Sequence, residues 1–344
     1  MQVNLKSINP LPVLTWNRLW VNSASLQAEA HVQPASVPQA PEDVAAVETG
    51  MGAETVAFVA QNCTECHVYE SAGSEAETPY MQQYTLTAGQ GLVDRTCIRA
   101  KAGSSITVVQ SYVAGDDSAC FHGGLTQIIA EKGANVRLVQ VQLLNDASTH
   151  FDDVGAQIGD DATVELVQVE LGGAQAFAGC LGALQGYQSK FDIKTAYLGD
   201  NSRKLDFNYV ARQTGRKTNS EIHAAGALFG RSEKVFRGTI DFRKGAARST
   251  GHESEDTLLF SPEARNRTVP LILCTEEDVE GQHAATIGKI NAQRMYYLQS
   301  RGLSEAEAKH LVVLAQFAPV FAEVPDKSLR DQIDEYLERR MQFV

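Results

Sequence analysis

The chain has 344 residues, 43% hydrophobic and 21% charged, a balance that packs a core rather than remaining disordered. A formal net charge of −12 argues against nucleic-acid binding, which needs clustered lysine and arginine to track phosphates. No apolar run approaches the roughly eighteen residues that mark a membrane span. Residues 1–16 lack the basic and apolar regions of an export signal, so a cytoplasmic protein with reduced cysteines is expected.

Residues 1–90 read as an N-terminal arm. Half of the ten prolines fall in the first fifty residues, and 27-LQAEAHVQPASVPQAPEDVAA-47 reads as extended chain lying over the core or over a partner. A short helix is expected over 50–62. Segment 66–86 is polar and reads as a loop with an edge strand.

From Gly91 the texture changes to short strands. Leu138-Val-Gln-Val-Gln-Leu143 recurs as Leu166-Val-Gln-Val-Glu-Leu171, 28 residues later. Strand-like segments continue at 150–158, 176–184, 191–199, 205–213, 221–229 and 235–243. Alternating apolar residues such as Val139, Val141 and Leu143 put one face inward. An antiparallel sandwich would need tight hairpins, yet the chain has neither Asn-Gly nor Asp-Gly. A solenoid with two strands per 28-residue coil fits better, so 91–290 is expected to form a β-helix core. Residues 291–344 then read as a small helical domain. Gly302 ends a first helix, and Ser304 with Glu307 forms a capping box ahead of Leu311, Val312, Leu314 and Phe317. After Pro325 a third helix carries Leu329, Ile333, Tyr336 and Leu337 on one face. Such an end must cap the solenoid, bind a partner, or do both.

Several motifs invite chemistry. Cys63-Thr-Glu-Cys66-His67 matches the haem c attachment pattern, or a two-thiol metal or redox site, but no export signal accompanies it, and a chance spacing in a surface loop is the preferred reading. The pairs Asp116-Asp117, Asp152-Asp153 and Asp160-Asp161 suggest paired carboxylates of a β-helix carbohydrate enzyme; aspartates at turns explain them more simply. Gly281 to Lys289 has the wrong spacing for a phosphate loop. The glycine-rich stretch 172–186 suits close approach of coils. His31, His122, His150, His223 and His252, taken singly, read as surface or satisfied core residues. His283 stands apart, after four acidic residues at 276–280 and at the end of the strand region, where an imidazole could serve as an iron ligand.

The runs 235-VFRGTIDFRKGAARSTGHES-254, 270-PLILCTEEDVEGQHAATIGKI-290 and 296-YYLQSRGLSEAEA-308, with 12-PVLTWNRLWVNSA-24, 100-AKAGSSITVV-109 and 150-HFDDVGAQI-158, resemble the SufB/SufD family of iron–sulfur cluster assembly proteins. That resemblance implies a mainly β fold, a right-handed parallel β-helix followed by a small α-helical domain. It implies a non-catalytic scaffold that pairs with a SufB-like subunit through the β-helix and docks a SufC-like ATPase through the helices, with a homodimer possible when the partner is missing. The iron–sulfur cluster would be transient and shared with the partner, with none held by the isolated chain. The resemblance assigns the cluster-side role to His283. Glu255 stands 28 residues earlier, where SufB-type chains have a cysteine, so the likeness is to SufD. Tyr296, Tyr297, Arg301 and Leu303 become candidate contacts for the ATPase, since aromatics and arginine concentrate at binding hot spots. Cys274, Cys63 and Cys66 remain weak metal candidates.

Overall fold

The computed structural model describes residues 1–71, 73 and 78–342. Two eight-stranded parallel sheets face each other. One contains β3 (Glu65–Ser71), β5 (Gly91–Ala100), β7 (Phe121–Ala130), β9 (Thr149–Ile158), β11 (Gln175–Leu184), β13 (Lys204–Gln213), β15 (Glu233–Phe242) and β17 (Arg265–Cys274). The other contains β4 (Tyr80–Leu86), β6 (Ser105–Ala114), β8 (Asn135–Leu143), β10 (Thr163–Glu170), β12 (Lys190–Gly199), β14 (Asn219–Leu228), β16 (Ser249–Leu259) and β18 (Val279–Gly288). Successive strands alternate between the sheets, so each coil lays one strand in each. The repeat read from the sequence is the coil itself: Leu138 pairs in register with Leu166, 28 positions on. Later coils lengthen slightly; Ile222 pairs with Glu253, 31 positions on.

Alternation along each strand sends one set of side chains into the lumen and the other outward. Val108, Leu138, Leu166, Ile193 and Ile222 stack on one inward line and are all buried. A second inward line is polar. Gln82, Gln110, Gln140 and Gln168 lie in register and pass hydrogen bonds from amide to amide at 2.7, 2.9 and 2.9 Å. The Tyr209 hydroxyl closes the ladder on Gln168 Oε1 at 2.6 Å. A primary amide offers both donors and an acceptor, so stacked glutamines satisfy one another where water is absent.

Both outer faces are splinted. On one, β1 (Gln2–Ile8) and β2 (Ala24–Glu29) pair antiparallel. After the short α1 (Glu42–Ala45), α2 (Ala53–Asn62) joins them, burying Val3, Leu5, Leu26, Phe58 and Val59 against Phe121, Phe151 and Phe177. The arm therefore lies over the core. A buried network pins it: Asp206 Oδ1 accepts from Asn9 Nδ2 at 2.7 Å and from Arg237 Nη1 at 2.6 Å, while Arg237 Nε donates to the Val21 carbonyl. Gly179 permits the approach, because a Cβ there would meet Met51 Cγ at 2.4 Å.

On the other face lie the C-terminal helices. α3 (Ala292–Ser300) has no fully buried residue, with Met295 and Leu298 half-buried, whereas α4 (Glu305–Phe321) and α5 (Lys327–Met341) pack on β6 to β16. Val313, Phe317, Val320, Leu329, Ile333 and Leu337 meet Val139, Val141, Val167, Val169, Leu198 and Ala225. The Ser304–Glu307 capping box is present, and Asp326 caps α5 by accepting from the Leu329 amide at 2.7 Å. Two expectations change here. The helices clasp the flank instead of capping an end, because the outward-facing strand residues are themselves apolar and demand cover. The buried stripe of α4 runs through Val313, Phe317 and Val320, so Leu311 is left 47% exposed. A third change concerns segment 66–86: apart from positions 72 and 74–77, outside the described residues, it forms most of β3 and β4, the first coil. Register with β5 and β6 overrides its polar composition.

Candidate functional site

The last coil, β17 and β18, closes the stack on one side only. Each of its strands has a single neighbour, so an edge of backbone donors and acceptors faces outward. His283 sits in mid-β18, paired with Glu253 in β16, and continues the inward line of Ile193 and Ile222. In an inner coil that position would be sealed. With no coil beyond it, His283 is exposed.

Beneath His283 the lumen turns ionic. Glu253 is buried, neither of its oxygens has a hydrogen-bond partner among the described residues, and its carboxyl is pushed up to about 8 by burial and by the charge of Glu255. Glu255, also buried, pairs with the fully buried Lys234 and accepts from Tyr197 Oη at 2.7 Å and Thr268 Oγ1 at 2.5 Å. Burial brings Lys234 down to about 8 despite that pair. A carboxylate paired with a buried ammonium thus lies one coil beneath the exposed imidazole.

The other candidates are dispersed. Cys274 ends β17 on the same coil, exposed, with its thiol donating to the Glu276 carbonyl at 2.8 Å. Cys63, Cys66 and His67 lie at the opposite end of the solenoid, on the first coil. Cys63 is buried and pushed up to about 11 by desolvation. Cys66 is brought down to about 7 by a hydrogen bond with Cys97 of the neighbouring strand and by Arg95. His67, next in the strand, turns to the other face and meets Tyr84 Oη at 2.9 Å. Consecutive strand residues point oppositely, so the Cys-x-x-Cys-His run does not gather on one side.

Of the aspartate pairs, Asp116-Asp117 and Asp160-Asp161 lie at bends and turns between strands, and the third divides as the cysteine run does. Asp152 and Asp153 are both buried within β9 and not at a turn: Asp152 points into the lumen, and Asp153 outward to Thr49 Oγ1, Thr55 Oγ1 and the Met51 amide. Facing opposite sides of one sheet, they cannot share a substrate as acid and base. Tyr296 and Tyr297 of α3 are 73% and 56% exposed, with the Arg301 guanidinium 5.3 Å from the Tyr297 ring and Leu303 half-buried behind it.

Sequence reasoning also passed over one cluster. His122 and His150, read singly as satisfied residues, face each other in the lumen with Nδ1 atoms 2.8 Å apart. Their 28-residue separation, equal to the repeat, was the available signal.

Among the described residues no helix is long and apolar enough to cross a membrane. The model of the family described as "SUF system FeS cluster assembly, SufBD core domain" matches residues 83–316, from β4 to α4. The chain is 26% identical over 278 residues to the iron–sulfur cluster assembly protein SufD of Bacillus subtilis, covering 80% of this chain and 63% of that protein. It is 24% identical over 232 residues to the SufD of Escherichia coli, covering 67% of this chain and 55% of that protein. A SufBD family protein of Mycobacterium leprae is 25% identical over 260 residues, covering 75% of this chain and 30% of that protein. The chain thus spans less than two thirds of the length of these relatives. With its parallel two-sheet solenoid and a family match across most of its coils, this chain belongs to the SufBD family.

Proposed function

We propose that the chain is a SufD-like scaffold subunit of the SUF iron–sulfur assembly machinery, non-catalytic in itself, that pairs with a SufB-like subunit through its open last coil. The observation that carries this reading is His283, held in an inward-facing register yet exposed by the end of the stack. A partner coil laid against β17 and β18 would cover their free edges and place a partner thiolate or iron within reach of that imidazole. Glu255, in place of a cysteine, leaves cluster nucleation to the partner, and the cluster would be substrate shared across the joint rather than a resident group.

α3 supports the second contact. Tyr296, Tyr297 and Arg301 are exposed on and just after a helix with no fully buried residue, which leaves them open to a SufC-like ATPase. α4 and α5 are committed to the sheet, so the dock is tested by substitution on α3 and not by removing the helical end.

The decisive experiment co-expresses this chain with SufB-like and SufC-like subunits and measures iron and sulfide in the purified complex. His283→Ala is expected to leave complex formation intact and lower cluster content at least several-fold. An unchanged cluster content would remove the role of His283. Retention of the ATPase by a Tyr296→Ala/Tyr297→Ala/Arg301→Ala variant would remove the dock.

A further inference from the structure

Far from the last coil, the second to fourth coils enclose a set of donors that neither packing nor the assembly role uses. His122 Nδ1 lies 2.8 Å from His150 Nδ1, so only one proton fits between the two rings. The far nitrogen of His122 is held by Asp94 Oδ1 at 2.6 Å, and the Tyr112 ring stacks on His122 at 3.7 Å. His150 Nε2 faces Asp152 Oδ2 at 3.3 Å and Glu170 Oε1 at 3.7 Å, yet makes no hydrogen bond to either. All four oxygens of Asp152 and Glu170 lack a hydrogen-bond partner among the described residues, although these two side chains are 1% and 0% exposed. Burying two carboxylates in this way costs several kcal/mol unless a cation or a proton compensates; in the metal-free lumen the charge within reach is that of His150, which burial pulls down but Glu170 and Asp152 push up to about 10.

Glycine at position 124 leaves the room that the Asp152 carboxylate occupies. Asp94, Gly124 and Asp152 occupy one inward line on neighbouring strands, and a Cβ on Gly124 would lie 2.1 Å from Asp152 Oδ1. One ring nitrogen from each histidine and one oxygen of Asp152 fall within 4.8 Å of one another. Bonds of about 2.0–2.2 Å to a common centre need only a modest contraction of that triangle.

We propose that the lumen binds one divalent first-row transition-metal ion through His122, His150 and Asp152, with Glu170 as the adjoining carboxylate. Imidazole and carboxylate donors without sulfur suit iron(II), cobalt(II) or zinc rather than copper(I). Asp94 is a positioning residue: its bond to His122 Nε2 leaves Nδ1 aimed at the site, the carboxylate–histidine arrangement usual behind metal-bound imidazoles. Toward the first coil the lumen stays polar: Glu65 and His67 are partly exposed, Tyr84 bonds to both, and the Tyr84 ring stacks over Tyr112 at 5.6 Å. This site is independent of the open coil and of the proposed scaffold role.

The test uses the full-length chain, stripped with a chelator and titrated anaerobically with cobalt(II), then with zinc(II). The expected result is one cobalt per chain, visible d–d absorption without thiolate charge transfer, and displacement by zinc. X-ray absorption of the zinc form should show nitrogen and oxygen ligands with imidazole scattering and no sulfur. His150→Gln and Asp152→Asn should each weaken binding by about tenfold or more, and Asp94→Asn by about 10–100-fold. Failure of the wild-type chain to take up stoichiometric cobalt, or sulfur in the zinc shell, would overturn the proposal without reference to any variant. Unchanged binding by folded His150→Gln and Asp152→Asn variants would overturn it as well.

Discussion

Lys234 offers a direct test of how the interior beneath the last coil is balanced. Its ammonium is fully buried, pairs with Glu255, donates to Thr268 Oγ1 at 3.2 Å and lies 5.6 Å and 5.5 Å from the Tyr197 and Phe236 ring centres. Lys234→Met keeps the aliphatic stem and the ring contacts but removes the charge. Stranding one partner of a buried ion pair costs about 3–5 kcal/mol. Glu255 retains the hydroxyls of Tyr197 and Thr268, so the expected loss falls near the lower end, about 3 kcal/mol at neutral pH. Adding Glu255→Gln removes the stranded charge, keeps an acceptor for one of the two hydroxyls and turns an amide donor to the other, which a hydroxyl can accept. The double variant should recover to within about 1 kcal/mol of the parent. Urea unfolding followed by circular dichroism measures both. A Lys234→Met variant as stable as the parent, or a double variant as weak as the single, would refute the reasoning.

Other outcomes follow from the same structure. Glu253 has its folded value raised to about 8 from the ordinary 4.5, so the native state holds a proton that the unfolded state releases. Stability should therefore fall as pH rises from about 5 to 8, by up to ~2–4 kcal/mol, and Glu253→Gln should flatten that part of a melting-temperature profile; an unaltered profile would count against a buried, protonated Glu253. Phe317→Ala opens a cavity between α4 and the sheet and should cost about 3–5 kcal/mol, read as early proteolysis within residues 291–342 while the coils stay intact. Gln140→Leu breaks the amide ladder on both sides and should cost about 2–3 kcal/mol, whereas Leu138→Met, a volume-conserving change on the same inward face, should cost less than about 1.5 kcal/mol; equal losses would show that the ladder contributes nothing beyond packing.

The coil was legible because its signal is repetition. Gln140 and Gln168 occupy identical places in two near-identical hexapeptides, and both prove to be rungs of the internal ladder. The helix ends were legible because capping is local chemistry: Ser304, Glu307 and Gly302 act within a turn of themselves. The first coil was not, because β3 and β4 take their conformation from β5 and β6, and little in the intrinsic preference of Glu65-Cys-His-Val-Tyr-Glu-Ser71 announces a strand. Placement of the helices on a flank followed from outward apolar residues such as Val139, Val141 and Val169, whose alternation was read for the inner face alone. His283 was visible through resemblance, but its exposure depends on being in the final coil. Glu253 and Lys234, which set the charge beneath it, come from positions 30 and 49 residues earlier and become neighbours of that coil only through the winding.

The clasp of α4 and α5 reaches as far as β16, and the N-terminal arm reaches β17 through Leu11 and Val21, but the buried clusters of both stop short of β18. In a linear array each turn draws its rigidity from what lies above and below, and the terminal one has half of that support. The segment that presents His283 is therefore held less firmly than the inner strands in the free chain, and on the proposed pairing it gains order. Part of the association energy would go into setting that turn, which makes the readiness of the imidazole conditional on the presence of the companion it is meant to serve.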